Sequence, residues 1–268
     1  MSNFKYESDL KAYVVYKENG YKIFNEVDKH FENYACDLGA ERYSIPSMID
    51  KDVLEKCGYM TSFPHHLTAA TYVTDNNYNE VSANNECNSL KMNISNMFFT
   101  PAACLHVYPC LSGEKIDKKI ITSLVNVFRS EDKQYDAMTR LWNFRVREVV
   151  FIGDDKFVLD NLDDIMNEAK RYAESLGIKA EIEEASDNFY PTKCNNIKAK
   201  LQISNSLKKE LITYIGEKKV ALASFNFHGN HFSEPFDFSD GGRVVSGCAG
   251  FGLERWVSAI QSVRSEKE

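Results

Sequence analysis

The chain has 268 residues, 43% of them hydrophobic and 26% charged. That is ordinary globular composition, with enough length to bury a sizeable core as one large domain or two small ones. A formal charge of −7 gives no basic footprint for nucleic acid, and no apolar run is long enough to span a membrane. The N-terminal Met1-Ser-Asn-Phe-Lys-Tyr6 lacks a signal peptide's apolar core. Seven scattered cysteines (36, 57, 87, 104, 110, 194 and 248) suit reduced thiols in a cytoplasmic protein better than a disulfide framework.

In chain order, Ile23, Phe24, Val27, Phe31 and Tyr34 share one face and predict a helix over 21–34. Residues 39–46 turn into a short strand ending at Pro46. His65 and His66 cannot both face one ligand in extended chain, so they read as loop residues. The stretch 75–96 is rich in Asn and poor in large apolar side chains, and it reads as a loop. After Pro101-Ala-Ala-Cys104 come two strands joined by a polar loop. The first ends in Phe128-Arg129-Ser130-Glu131; the second runs from about Asn143 to Gly153, where Gly153-Asp154-Asp155 stops it. Arg129, Glu131 and Phe144 offer a planar fork for a phosphate, an acceptor for an exocyclic amine and a stacking face. Charges at hairpin ends are usually solvated, so the hairpin alone does not decide for a nucleotide.

Leu162, Ile165, Met166, Ala169, Tyr172, Ala173 and Leu176 predict an amphipathic helix over 160–177, closed by Gly177. Residues 208–215 and 220–228 read as antiparallel strands across a Gly216 turn. Gly247-Cys-Ala-Gly-Phe-Gly252 then runs into a helix whose apolar face is Leu253, Trp256, Val257 and Ile260. Its glycines let backbone approach a ligand, and Arg255 in the first turn faces the same pocket. Taken alone, Cys104 and Cys248 read as buried small hydrophobes, and His228 and His231 as turn and pocket-wall residues.

Phe128-Arg129-x-Glu131, the Phe144 strand and Gly250-x-Gly252-x-Glu254-Arg255 resemble motifs two and three of the class II aminoacyl-tRNA synthetases, in particular the seryl type. The helix, strand and Pro46 resemble motif one, which builds the dimer interface in that family. Pro101-Ala-Ala-Cys104 resembles a Pro-Thr-Ala-Glu segment, with Cys104 where a Glu holds the substrate amine. Cys104, Glu148 and Cys248 together resemble the Cys-Glu-Cys zinc site of the methanogen-type seryl synthetases and of their shortened relatives, the amino acid:[carrier protein] ligases. Cys110 is the competing candidate for the first ligand.

The resemblance implies a single α+β domain over 1–268, an antiparallel sheet flanked by helices. A helical insertion at about 159–190 is implied for carrier recognition, although helix 160–177 fits simple packing on the sheet equally well. About twenty residues precede the first helix, so no tRNA-binding arm is expected. The resemblance places ATP against Arg129, Glu131, Arg140, Leu141, Phe144, Lys208, Ala221, Ser224 and Arg255, with Arg129 and Arg255 catalytic, and the adenine between Phe144 and Arg255. Zinc, one per subunit, would sit on Cys104, Glu148 and Cys248, with Glu148 also meeting the substrate amino acid. Magnesium accompanies ATP; Ala221 stands where a typical synthetase has a Glu, which leaves the number of magnesium ions open. The implied activity is adenylation of glycine or alanine and transfer to the phosphopantetheine thiol of a carrier protein, by a homodimer that uses neither tRNA nor membrane. A truncated synthetase that charges tRNA and a non-catalytic regulator are the alternatives.

Overall fold

The computed structural model describes residues 13–84, 92–130, 135–136, 139–239 and 242–265. In chain order the elements are α1 (Glu18–Asp37), β1 (Glu41–Arg42), β2 (Met48–Asp50), α2 (Lys51–Lys56), α3 (Tyr59–Ser62), β3 (Ala69–Val73), α4 (Asp75–Asn84), β4 (Met92–Phe99), α5 (Val107–Cys110), β5 (Lys119–Phe128) and β6 (Asn143–Gly153). Then follow α6 (Asp155–Ser175), β7 (Ala180–Glu184), α7 (Lys193–Ser204), β8 (Lys208–Ile215), β9 (Lys218–Gly229), α8 (Ser233–Phe236), β10 (Val245–Gly252) and α9 (Leu253–Ser265).

Seven strands form one sheet in the order β1-β5-β6-β10-β9-β8-β7. Every neighbouring pair is antiparallel except β1, which runs parallel to β5 through Glu41 and Arg42. The expected antiparallel sheet is therefore mixed at one edge: the connection from β1 to β5, residues 43–118, carries β2, β3, β4 and several helices, and a crossover of that length permits parallel pairing. A smaller sheet, β2-β4-β3, stands beside it.

Alternation along the strands sorts side chains to the two faces. On one face α1, α6 and α9 cover Val149, Phe151, Phe225, Ala249 and Phe251. Phe31 of α1 stacks on Phe251 at 3.7 Å, with Trp256 of α9 edge-on at 5.3 Å. Arg147 points to this side too and makes a two-pronged ion pair with Asp28 of α1, at 2.8 and 3.0 Å. A fork of two parallel bonds fixes the helix on the sheet in direction as well as distance. At Gly247 α6 packs tightly on the sheet: an added Cβ would lie 2.8 Å from both Leu162 and Val158 and 2.9 Å from the Asn226 carbonyl oxygen.

Two expectations change. The stretch 75–96 is not one loop: its first ten residues are α4 and its last five belong to β4, with residues 85–91 outside those described. The part of β4 inside that stretch, 92–96, has apolar residues only at Met92 and Ile94, but the strand pairs with β2 on one side and β3 on the other, and ladder hydrogen bonds secure it regardless of composition. Helix α6 starts at Asp155 rather than Asp160, because Asp154 accepts the Phe157 N–H and so acts as N-cap as well as ending β6. Its stripe of Leu162, Ile165, Met166, Ala169 and Ala173 is buried against the sheet. The apolar stripe thus packs on the sheet.

Candidate active site

The other face of the sheet floors a cavity of about 840 Å³. Strand pairing explains how its residues meet. Glu148 of β6 lies opposite Gly250 of β10, Gly250 opposite Ser224 of β9, and Ser224 opposite Glu210 of β8. A second row runs Cys248, Asn226, Lys208 across β10, β9 and β8. Residues at paired positions share a face, and all of these line the cavity. Phe144 and Val146 line it with Glu148, whereas Arg145 turns away and binds the buried Glu254 at 2.8 Å.

Cys104, in the short 3-10 turn Ala103–His106, reaches down to this floor. Its sulfur, a Glu148 carboxylate oxygen and the Cys248 sulfur lie within 4.8 Å of one another, all three buried. Two sulfurs and a carboxylate oxygen converging at a buried point are a donor set suited to a borderline-soft dication such as zinc. The electrostatics of these three groups point the same way. Burial pushes Glu148 up to about 7, against the opposing pull of Cys248 and Arg129. The hydrogen bond to Cys104, burial and Glu148 raise the Cys248 thiol well above its usual range. These groups resist ionising beside one another, and a bound dication removes that resistance. Cys110 is exposed, and its Sγ donates to the His106 carbonyl.

Gly250 makes room for the carboxylate, since a Cβ there would sit 2.8 Å from Glu148 Oε2. Asn226 donates to Cys248 Sγ at 3.6 Å, while its buried Oδ1 has no partner. His228 walls this corner, with Nδ1 near Ser246 and Tyr108 at 3.1 and 3.3 Å and Nε2 3.6 Å from Cys248 Sγ. His231 is tied to the Cys57 carbonyl at 3.1 Å.

Two arginines stand above the floor. Arg129 is held by its Nε bond to the Pro101 carbonyl at 2.9 Å, with its guanidinium 5.7 Å from the Phe144 ring centroid. Arg255 donates to the carbonyls of Thr139 and Ala221, each at 3.0 Å. Ala221 therefore contributes its backbone where a carboxylate was absent. Arg140 and Leu141 line the cavity as well; Glu131 lies outside the described residues.

Lys208 bonds Asp187 at 2.6 Å and Glu210 at 3.2 Å. Burial opposes its charge, but the two carboxylates outweigh it and keep its pKa above the usual lysine value. Asp187 in turn stays below the normal carboxylate range because Lys208 outweighs its burial. Sequence reading missed Asp187, Glu210 and His66. Glu210 alone had a usable signal, being two residues from Lys208 on the same strand and so on the same face.

The fold is that of a class II aminoacyl-tRNA synthetase catalytic core. It superposes on a seryl-tRNA synthetase of M. kandleri, solved with A. aeolicus tRNASec, with a TM-score of 0.78 and 19% identity, covering 98% of this chain and 58% of that one. Prolyl-tRNA synthetase from Cryptosporidium parvum follows, with a TM-score of 0.71 and 16% identity over 96% of this chain and 49% of that one.

Within that class the chain is similar in sequence to amino acid–[acyl-carrier-protein] ligase 1 of Bradyrhizobium diazoefficiens, 29% identical over 236 residues, which are 84% of this chain and 72% of the relative. It is also 30% identical over 168 residues to the type-2 serine–tRNA ligase of Methanocaldococcus jannaschii, covering 59% of this chain and only 32% of that enzyme. No protein-family model matches the chain.

Proposed function

We propose that the protein activates a small amino acid, glycine or alanine, with ATP and transfers it to the phosphopantetheine thiol of a carrier protein. The observation that carries this reading is the convergence of Cys104, Glu148 and Cys248 on the floor of the cavity that also holds Arg129 and Arg255. Similarity to carrier-protein ligases over most of the chain supports it.

Zinc bound by Cys104, Glu148 and Cys248 would supply a Lewis acid that takes the substrate's neutral amine. His228 and Asn226 crowd the space beside Cys248, which suits a side chain no larger than a methyl group. Arg129 is oriented by Pro101 to pair with the α-phosphate as a carboxylate oxygen of the amino acid attacks phosphorus and pyrophosphate leaves. Arg255, fixed by two backbone carbonyls, meets the β- and γ-phosphates, and Phe144 offers its ring to the adenine. Glu210 and Ser224, adjacent across β8 and β9 and both lining the cavity, would offer oxygens to the magnesium that accompanies ATP. In the second step the carrier's sulfur attacks the mixed anhydride, its proton is lost to solvent and AMP leaves. Positioning suffices there, because the anhydride is already reactive.

We place the carrier's contact on α7 rather than on α6. Ile197, Leu201 and Ile203 are exposed on α7, alongside Lys193, Lys198 and Lys200 and no acidic residue. Lys198, Leu201 and Gln202 border the cavity. An apolar and basic helix at the mouth fits an acidic partner that must thread a flexible arm inward. The reading takes the protein to be a cytoplasmic homodimer.

The test supplies ATP, labelled glycine, alanine and serine, and two acceptors, total tRNA and a phosphopantetheinylated carrier protein. Label on the carrier alone is expected. Label on tRNA alone would replace this reading with that of a minimal synthetase, which the similarity to type-2 serine–tRNA ligases keeps as the second possibility.

A further inference from the structure

Glu254 lies in the first turn of α9, one residue before Arg255, and borders the cavity while only 5% exposed. Its carboxylate takes two bonds from one residue of β6: Oε2 accepts the Arg145 backbone N–H at 2.9 Å, and Oε1 accepts Arg145 Nε–H at 2.8 Å. Strand pairing shows why that N–H needs a partner. The ladder between β6 and β10 ends at Val146 opposite Gly252, where β10 gives way to α9. Arg145 is the first residue of β6 beyond that end, so its N–H has no strand to donate to, and such main-chain donors are seldom left unpaired in a folded protein. Glu254 completes the ladder with a side chain. On the helix-covered face the Arg145 guanidinium lies over the rings of Phe24, at 3.9 Å, and Tyr16, at 5.5 Å, which adds a cation–π attraction.

Stability alone gives little reason for this pair. Burial raises the Glu254 carboxyl above its usual range, although Arg145 pulls against it. Taking two charges out of water costs about as much as their attraction returns, and apolar side chains often hold a helix as well. What the hydrogen bonds add is direction, and the residues on either side are the ones that need it. Phe144 precedes Arg145, Arg255 follows Glu254, and both line the cavity. Phe144 pairs with Val127 of β5 on one side and with no residue of β10 on the other. The Glu254 carboxylate therefore bridges the free edge of the strand that carries the ring and the helix that carries the guanidinium.

We propose that Glu254 is a positioning residue for ATP: through Arg145 it sets where the Phe144 ring stands relative to the Arg255 guanidinium, and so the placement of the adenine relative to the phosphates. This rests on the reading of the cavity as an adenylation site. Misplacing a substrate-holding group by about 1 Å can cost on the order of 10²-fold in rate, and without Glu254 the end of β6 is held by β5 alone. The same strand carries a natural comparison. Arg147 forks onto Asp28 at 2.8 and 3.0 Å, but neither of those residues lines the cavity. Two buried pairs two residues apart thus separate positioning from packing.

The experiment measures ATP–pyrophosphate exchange and ATP binding by calorimetry on the full chain, as wild type, Glu254→Ala, Glu254→Gln, Arg145→Lys and Asp28→Asn, well below every melting temperature. Glu254→Gln keeps one acceptor oxygen, and Arg145→Lys keeps the charge and the backbone bond. Glu254→Ala is expected to lower kcat/KM for ATP on the order of 10²-fold, with zinc content and the KM of the amino acid at saturating ATP unchanged. The two conservative variants should show part of that loss, and they carry the test alone if Glu254→Ala does not fold. Asp28→Asn should lower the melting temperature and leave exchange at the wild-type rate. Wild-type kcat/KM for ATP in the Glu254 and Arg145 variants that fold would overturn the proposal. So would a loss matched by Asp28→Asn or shared equally by the KM of the amino acid, since a general loosening of the sheet gives both. A wild-type protein that neither binds ATP nor exchanges pyrophosphate would instead remove the adenylation reading itself, and this role with it.

Discussion

Gly250→Ala tests the proposed zinc site apart from the fold better than removing a candidate ligand does. The glycine lies in β10 opposite Glu148, and the added methyl would stand 2.8 Å from Glu148 Oε2, against about 3.4 Å for ordinary contact. The next nearest atoms, a Val146 methyl and the Glu148 carboxyl carbon, are at 3.5 and 3.7 Å, so only the carboxylate has to yield. It must retreat by about 0.6 Å, whereas metal–ligand distances tolerate about 0.2 Å. The displaced group is the tip of a flexible side chain, so the stability cost falls at the low end of the roughly 1–3 kcal/mol range for overpacking. The expected result is a zinc affinity lowered about 10- to 100-fold with little change in melting temperature. Competition with a chromophoric chelator measures the affinity, and elemental analysis the stoichiometry. A Gly250→Ala protein that holds one zinc per chain with wild-type affinity would refute the assignment of Glu148 as a ligand.

Gly247→Ala, three residues earlier on the same strand, should behave in the opposite way. Its methyl would meet Leu162, Val158 and the Asn226 carbonyl at 2.8–2.9 Å, and neither a packed helix nor backbone can retreat cheaply. A loss of about 1–3 kcal/mol in denaturant unfolding is expected; unchanged stability would mean that α6 sits farther from β10. His66 predicts a pH effect. Its pKa is about 3 when folded against 6.5 for the free group, so between those values the unfolded chain binds the extra proton. Its contribution to stability is complete above pH 6.5 and is lost as pH falls towards 3. Melting curves from pH 7 to pH 4 should fall less steeply for His66→Gln than for wild type, and parallel curves would show that the ring is not buried as described.

Much of the architecture was legible because local periodicity carried it. The stripe of Ile23, Phe24, Val27 and Phe31, the Leu162–Ala173 stripe and the Leu253–Ile260 turn each state a face, and burying that face is what makes the helix. The strand limits at Asn143 and Gly153 followed from branched residues and a turn. Motif order brought the class II resemblance, and with it Arg129, Phe144, Arg255 and the three candidate ligands. Composition failed where pairing decides: nothing in the Asn-rich run announces β4, whose stability comes from strands on either side.

The sequence by itself determined which residue types were available for chemistry and which helix faces had to be buried, since both depend on near neighbours along the chain. Only the tertiary structure decided which distant groups meet. Strand register set Glu148 beside Gly250, Ser224 and Glu210, and placed Cys248 in line with Asn226 and Lys208. A slip of one residue would turn each of these side chains to the opposite face. Asp187, from the segment before α7, closes on Lys208 across the cavity. His66 acquired its place from Tyr59, Pro101 and Ser130, contacts spanning up to 64 residues of chain. No local pattern encodes such meetings, because register and loop closure are settled by the whole core at once.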